Sequence, residues 1–159
     1  MKKNTDKTNV LRILEQNKIN YKSYHYETQE AISGVESAKM INRDENRVFK
    51  TLVTVGNSKN YYVFMIPVKE ELDLKKAAKA VSEKSISMIK SKELLPLTGY
   101  VHGGCSPIGM KKQFTTTIHE TATSFEAIIF SAGKIGYHVE MTPQDLGKII
   151  NFNLSDVIC

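Results

Sequence analysis

The sequence predicts an α+β domain built on a mixed β-sheet. Short helical segments are interleaved with strands at hairpin spacing, without the regular βαβ repeat of a parallel-sheet protein. The length of 159 residues fits one domain, which we assign to residues 1–159. With 41% hydrophobic and 25% charged residues, the composition is that of a globular protein and excludes disordered and low-complexity classes.

The first part of the chain predicts two helices with a strand between them. Asp6 is expected to cap a helix that ends near residue 17. The buried face of this helix is expected to consist of Val10, Leu11 and Leu14. Aromatic residues in weak alternation predict a strand over residues 22–27. The segment Ser-Gly-Val-Glu at 33–36 has the spacing of a capping box and predicts a helix to about residue 41.

The centre of the chain predicts a hairpin followed by a helix. After a short helical turn at Asp44, two strands over 48–55 and 61–68 are joined by a glycine- and asparagine-containing loop. Asp73 is expected to cap a helix over 74–81. Its inward side chains are predicted to be Leu74, Ala77, Ala78 and Val81. Its charged side carries Lys75, Lys76 and Lys79, a row more typical of a solvated face than of a binding patch.

The second half predicts short strands and two short helices. The strands are expected over 86–89, 115–119, 127–131 and 137–141. A helix over 92–95 is expected to end at Pro96. Thr142 and Pro143 are expected to open a last helix through about residue 150. For the tail, 151–159, the sequence leaves packing and fraying equally open.

Charge and cysteine content restrict the classes of partner and cofactor. The formal net charge of +5 and the pI near 9.1 favour a polyanionic partner, although a basic solvated surface explains them equally. The N-terminal residues are polar and lysine-rich, which predicts a cytoplasmic protein rather than a secreted one. The longest apolar run, 61–68, is too short to span a membrane. Two cysteines and four scattered histidines match no metal motif, so we expect no metal and no cofactor.

A glycine-rich segment at 98–109 is the most unusual part of the sequence. Gly103 and Gly104 allow positive φ angles and close approach of a ligand, so their backbone N–H groups could bind an anion or an oxyanion. Pro107 would stiffen the loop. A tight turn between strands is the simpler interpretation of a lone Gly-Gly pair.

Cys105 and Ser106 are candidate nucleophiles in the same segment. A catalytic thiol needs a base, and only His102 is close in sequence. Ser106 does not lie in a nucleophile-elbow pattern. A packed cysteine and a serine that binds substrate are therefore the favoured interpretations.

Lys50 stands in an otherwise apolar or small-residue strand. A lysine at such a position must reach solvent, an acidic partner or a cleft. The composition leaves both an exposed strand face and a functional cleft open for Lys50.

Six motifs follow one another in a characteristic order: Val48-Phe-Lys-Thr-Leu52, Ile66-Pro-Val68, Leu72-Asp-Leu-Lys-Lys76, Thr98-Gly-Tyr100, Gly103-Gly-Cys-Ser-Pro-Ile-Gly109 and Ser131-Ala-Gly-Lys134. Together they resemble the YbaK/EbsC family, which belongs to the superfamily of the bacterial prolyl-tRNA synthetase editing domain. The match covers a core of about residues 8–150. It implies a mixed sheet or open barrel surrounded by helices.

The resemblance also implies a site. Catalytic roles fall on Lys50, Gly103, Gly104 and Ser106. Substrate contacts fall on Tyr26, Thr51, Cys105, Pro107 and Gly109. Lys50 would hold the 3′ end of an aminoacyl-tRNA through phosphate or ribose oxygens, which suits an ammonium group. Two positions depart from the family: Ile135 stands where many relatives have arginine, and His138 where relatives have an acidic residue.

The function that the resemblance implies is removal of cysteine from mischarged Cys-tRNA(Pro), and also from Cys-tRNA(Cys). The substrate's own thiol would attack its ester carbonyl, so the protein need only position and polarise the ester. Prolyl-tRNA synthetase is the implied partner. One alternative is a deacylase of another small residue, such as Ala-tRNA(Pro), that activates water. Another is a tRNA- or synthetase-binding module without turnover, with the lysine-rich helix as its contact.

Overall fold

The computed structural model describes residues 7–159, and its strands form two β-sheets. The strands are β1 (Lys22–His25), β2 (Phe49–Gly56), β3 (Tyr61–Pro67), β4 (Ile86–Met88), β5 (Thr115–His119), β6 (Ile128–Ser131), β7 (Tyr137–Met141) and β8 (Asn153–Ser155). One sheet has three antiparallel strands in the order β1-β7-β6. The other has five strands in the order β4-β2-β3-β5-β8, with antiparallel pairs up to β3 and parallel pairs beyond it.

Short helices lie between the strands. They are α1 (Asn9–Gln16), α2 (Gly34–Met40), α3 (Leu74–Ala80), α4 (Ser91–Thr98) and α5 (Pro143–Leu146), with 3₁₀ turns at Glu45–Arg47 and Glu120–Ser124. The predicted capping box of α2 is present: Ser33 Oγ accepts from the N–H of Glu36, whose carboxylate accepts from the N–H of Ser33. No helix within 7–159 is long and apolar enough to cross a membrane. The arrangement confirms the predicted α+β class with a mixed sheet.

The five-stranded sheet has a core on each face. In β3, Val63 and Met65 enter the larger core, which α1 and α5 also line, whereas Phe64 and Ile66 enter a smaller core beneath α3. Because side chains alternate along a strand and Lys50 pairs with Ile66, Lys50 lies on the α3 face.

The two sheets meet at the start of β2. Val48 forms a parallel bridge to Ile129 of the three-stranded sheet. Beside it, the Arg47 guanidinium lies 2.6 Å from a carboxylate oxygen of Glu140, whose other oxygen accepts from the Tyr24 hydroxyl. Burial works to raise the pKa of Glu140, but these hydrogen bonds outweigh it and the pKa is lowered. The carboxylate thus stays charged and links the sheets.

The structure corrects the predicted helix ends. Asp6 lies outside the described residues, and Thr8 caps α1 by accepting from the N–H of Leu11. The predicted stop at Pro96 is wrong, because α4 continues to Thr98 and ends at Gly99, whose φ is +86°. Proline removes only one helix hydrogen bond there, and the Gly99 N–H closes the last turn on Leu95.

Two further expectations are wrong, and the structure decides one alternative that the sequence left open. The last helix does not reach residue 150: α5 ends at Leu146 and tight turns follow. Leu74 does not pack inward but is 42% exposed at the first position of α3. The tail is ordered, since β8 pairs with β5 and Val157 is fully buried in the smaller core.

Candidate active site

A cleft of about 330 Å³ opens where the two sheets meet. Its lining comes from distant parts of the chain: residues 32–35 and Ser37, residues 48–52, Val68, Leu94, His102, Gly103, Cys105, Ser131 and His138. The cleft has a mixed character, with apolar walls and a few polar side chains. Such a lining is typical of a small-molecule binding site.

Lys50 supplies the positive charge of the cleft. It is half-buried and lies in the wall formed by β2. Among the described residues no carboxylate lies within 4.0 Å of its ammonium group. The charge is therefore available to oxygen atoms of a ligand, and of the two alternatives left open by the sequence the cleft position is the one observed.

The glycine-rich segment contributes His102, Gly103 and Cys105 to the lining of the cleft. Gly103 has φ +87°, and a Cβ there would lie 2.5 Å from Ala31 Cβ, so both the conformation and the space require glycine. The N–H of Gly104 donates to the carbonyl of Val101 and is taken by this turn. Within 7–159, the N–H groups of Gly103 and Cys105 donate to no protein acceptor, and both residues line the cleft.

Three predicted residues of the glycine-rich segment, Ser106, Pro107 and Gly109, do not line the cleft. Ser106 is fully buried, and its hydroxyl accepts from the N–H of Ile108 at 3.4 Å. Pro107 is also buried, and Gly109 packs against the Tyr100 hydroxyl. Tyr100 in turn donates to the carbonyl of Ile108. These residues fix the shape of the loop.

Tyr26 is likewise one layer away from the cleft. Its hydroxyl pairs with Ser37 Oγ at 2.7 Å, and its ring stacks on His138 with centroids 5.8 Å apart. Ser37 and His138 both line the cleft. Tyr26 thus positions two lining side chains.

Two buried polar atoms in the cleft lining have no hydrogen-bond partner among residues 7–159: Thr51 Oγ1 and His138 Nδ1. His138 is only 7% exposed, and burial lowers the pKa of its imidazole to about 4. The ring is neutral at physiological pH. Both atoms are shielded from solvent at the wall of the cleft.

Cys105 is not an activated nucleophile. Burial raises the pKa of its thiol to about 12, so the thiolate is scarce at neutral pH. No lining hydroxyl or thiol, all of them within the described residues, is hydrogen-bonded to a histidine. Nor do three His, Cys, Asp or Glu side chains within 7–159 come close enough to hold a metal.

Sequence analysis did not identify α2 as part of the cleft wall. Residues 32–35 and Ser37 form one side of the cleft, and a Cβ at Gly34 would lie 2.5 Å from Val68. The capping box predicted this helix but not its neighbour, because contact between positions 34 and 68 depends on tertiary packing. Leu94 was missed for the same reason.

Fold and site together define a class of protein. Residues 29–149 match the model of the aminoacyl-tRNA editing domain, and the chain belongs to that family. Within it, the resemblance to the YbaK/EbsC group is confirmed. A protein of Enterococcus faecalis, provisionally named Cys-tRNA(Pro)/Cys-tRNA(Cys) deacylase EbsC, is 45% identical over 157 residues, which are 98% of this chain and 96% of that protein.

Solved structures agree on the fold. A crystal structure described provisionally as a trans-editing enzyme for prolyl-tRNA synthetase superposes with a TM-score of 0.78 at 22% identity, covering 87% of each chain. A crystal structure of a hypothetical protein gives 0.83 at 18% identity, covering 94% of this chain and 99% of the other. At these identities the likeness concerns the fold alone.

Proposed function

We propose that this protein is a trans-editing deacylase that removes cysteine from Cys-tRNA(Pro) and from Cys-tRNA(Cys). The activity is the one named for the 45% identical relative. The observation that carries the proposal is the chemistry of the cleft, which joins an unpaired lysine and two free amides but contains no activated nucleophile.

The absence of an activated nucleophile among the lining residues fits attack by the substrate itself. The cysteine sulfur bonds to its own ester carbonyl carbon, and the carbonyl oxygen becomes an oxyanion. Collapse of this intermediate breaks the bond to the ribose oxygen, which takes up the thiol proton. The products are a four-membered thiolactone, which water opens to cysteine, and free tRNA.

The cleft contributes position and charge to this step. In this proposal the N–H groups of Gly103 and Cys105 stabilise the oxyanion, and Lys50 holds phosphate or ribose oxygens of the terminal adenosine. Thr51 and His138 line the cleft, and we propose that Thr51 Oγ1 and His138 Nδ1 hydrogen-bond to the aminoacyl group once substrate displaces the atoms that cover them. Holding thiol and carbonyl together supplies the entropic advantage of an intramolecular reaction.

Deacylation of four esters tests the proposal: Cys-tRNA(Pro), Cys-tRNA(Cys), Ala-tRNA(Pro) and Ser-tRNA(Pro). We expect rapid loss of the cysteinyl esters alone. Lys50→Ala should abolish the reaction, whereas Lys148→Ala, which removes an exposed lysine elsewhere, should not. Cleavage of the alanyl ester would favour activated water instead, and no cleavage of any ester would favour a binding module.

A cleft of about 330 Å³ has room for an aminoacyl-adenosine end but not for the parts of tRNA that carry its identity. We therefore propose that selection of tRNA(Pro) comes from prolyl-tRNA synthetase, acting with this protein in the cytoplasm. Co-purification of the two proteins with tRNA(Pro), and faster editing of Cys-tRNA(Pro) when the synthetase is added, would support this partnership. Equal rates with and without synthetase would contradict it.

A further inference from the structure

A second depression lies between α3 and β4, which we call the lysine groove. It has a volume of about 520 Å³ and is lined by Lys75, Lys79 and Lys84 together with Leu74, Ala78 and Ile86, and by Glu83 and Ser85 at one end. The three lysine side chains are exposed. The groove is separate from the cleft and shares none of its lining residues.

The cations of the lysine groove are uncompensated. Among the described residues, no carboxylate lies within 4.0 Å of Lys75, Lys79 or Lys84. Their neighbour Lys76 differs, because it pairs with Asp156 at 2.9 Å. On α3, Lys76 therefore belongs to an ion pair, whereas Lys75 and Lys79 have no carboxylate partner among the described residues.

Glu83 is the one carboxylate in the groove lining, and it is turned toward other partners. Its oxygens accept from the N–H and hydroxyl of Ser58 and from the Tyr62 hydroxyl. The hydrogen bonds from Ser58 and Tyr62 lower its pKa, so it stays charged. Three lysines against one engaged carboxylate leave a net positive groove.

The lysine groove lies on the same face of the five-stranded sheet as Lys50. The smaller core beneath α3 contains Ile66, the pairing partner of Lys50, and also Ile86 at the edge of the groove. Ile86 pairs with Gly56, which is six residues along β2 from Lys50. At about 3.4 Å per residue, this edge of the groove lies roughly 20 Å from Lys50 along the strand.

The residues of the groove suit phosphates rather than bases. Its lining contains no aromatic ring for stacking and no carboxamide or guanidinium for reading base edges. Lysine ammonium groups bind phosphates as point charges and carry no sequence information.

We propose that the lysine groove binds backbone phosphates of the tRNA acceptor stem while the cleft holds the aminoacylated 3′ end. The identity of the RNA rests on the proposed function, whereas the charge and position of the groove do not. The two contacts along one face of the sheet let a small protein bind a long substrate at two points.

Binding of uncharged tRNA, measured by fluorescence anisotropy across a salt series, tests the groove without requiring catalysis. The triple variant Lys75→Gln, Lys79→Gln, Lys84→Gln removes three positive charges. At roughly 0.7 to 0.9 per phosphate contact, the slope of log K against log salt should become shallower by about 2 to 3. The control Lys18→Gln, Lys22→Gln, Lys148→Gln removes three exposed charges elsewhere and should leave the slope nearly unchanged.

A second measurement separates the groove from the cleft. The triple variant should lose tenfold or more in kcat/KM on full-length Cys-tRNA. It should retain wild-type kcat/KM on a cysteinylated oligonucleotide that carries only the single-stranded 3′ end. Equal losses on both substrates, or tRNA binding and salt slope equal to the wild type, would overturn the proposal. If wild type cleaves no ester yet the salt slope falls as stated, the groove is supported and the proposed catalysis fails.

Discussion

At the scale of single residues, the cleft lining contains two buried polar atoms with no hydrogen-bond partner among residues 7–159. Thr51 Oγ1 and His138 Nδ1 are buried and unpaired, while Thr54, three residues further along β2, donates its hydroxyl to the carbonyl of Tyr62. The same residue type in one strand is thus satisfied at one position and unsatisfied at another. The Thr54 hydroxyl therefore contributes a hydrogen bond to the fold, whereas the Thr51 hydroxyl makes none within the described residues.

Thr51→Val tests this difference. Removing an unpaired buried hydroxyl without changing the side-chain shape should stabilise the protein by about 1 kcal/mol, since no hydrogen bond is lost. Deacylation of Cys-tRNA should nevertheless fall by about tenfold, the equivalent of one substrate hydrogen bond. Urea denaturation and kcat/KM measure the two effects.

Thr54→Val is the matched control. It deletes a hydroxyl that is already paired, so it should destabilise the protein by about 1 kcal/mol and leave kcat/KM near wild type. A Thr51→Val protein that lost stability and kept full activity would show that its hydroxyl serves the fold.

Lys50 was the cleft residue that sequence could identify best. A lysine among Phe49, Thr51 and Leu52 departs from the strand pattern, and the departure itself marks the position. The strand pattern did not mark His138 in this way, because an isolated histidine in a strand is compatible with either face. The sequence identified His138 only as a departure from the family. Its importance comes from burial and from a missing partner, which only the folded structure displays.

At the scale of elements, the strands with strong local patterns were predicted closely. The segments Thr115–His119 and Tyr137–Met141 have the predicted bounds, since β-branched and aromatic residues lie between clear turn signals. The end of α4 was not predicted correctly. Pro96 suggests that the helix stops there, but the helix continues to Thr98 and is capped by Gly99, three residues after the proline. Helix termini depend on which residue can adopt a positive φ as much as on where proline stands.

Strand β8 could not be predicted from its own residues. Asn153, Leu154 and Ser155 are few and mostly polar, and Leu154 is 44% exposed. The strand exists because β5 offers a parallel edge and Val157 fills the smaller core. Both reasons depend on tertiary contacts, which the residues of the strand do not reveal by themselves.

Val157→Ala tests whether the tail belongs to the core. Val157 is fully buried beneath α3, so its truncation should lower the free energy of unfolding by about 2 kcal/mol, from two lost methyl-sized groups and a small cavity. Leu154→Ala in the same tail removes more atoms from an exposed site and should change stability by about 0.5 kcal/mol or less. Denaturation curves of both variants provide the measurement, and equal effects would mean that the tail is peripheral.

At the scale of the whole molecule, stability should depend on pH through groups held between the two sheets. Burial lowers the pKa of His138 from 6.5 to about 4, so between these values the unfolded chain binds a proton that the folded protein does not. Stability therefore falls as pH drops from 6.5 to 4, by roughly 3 kcal/mol for the full shift. The lowered pKa of Glu140 has the same sign and adds a loss at still lower pH.

Urea denaturation of wild type and His138→Gln at pH 7 and pH 4.5 measures this dependence. Glutamine has no titrating group, so the variant should lose less stability than wild type over the interval. Parallel losses in both proteins would place the acid sensitivity elsewhere. The neutral ring also means that deacylation should show no titration of His138 near pH 6.5.

The cleft wall draws on stretches of chain from Ile32 to His138, and no two neighbouring elements can build it alone. Contacts between residues so far apart in sequence require closure of long loops, and parallel pairing of β3, β5 and β8 adds further non-local contacts. We therefore expect the cleft to be among the last features to form during folding. The recovery of activity should therefore report when folding is complete. A fragment of the chain should have no activity, because it lacks part of the cleft wall.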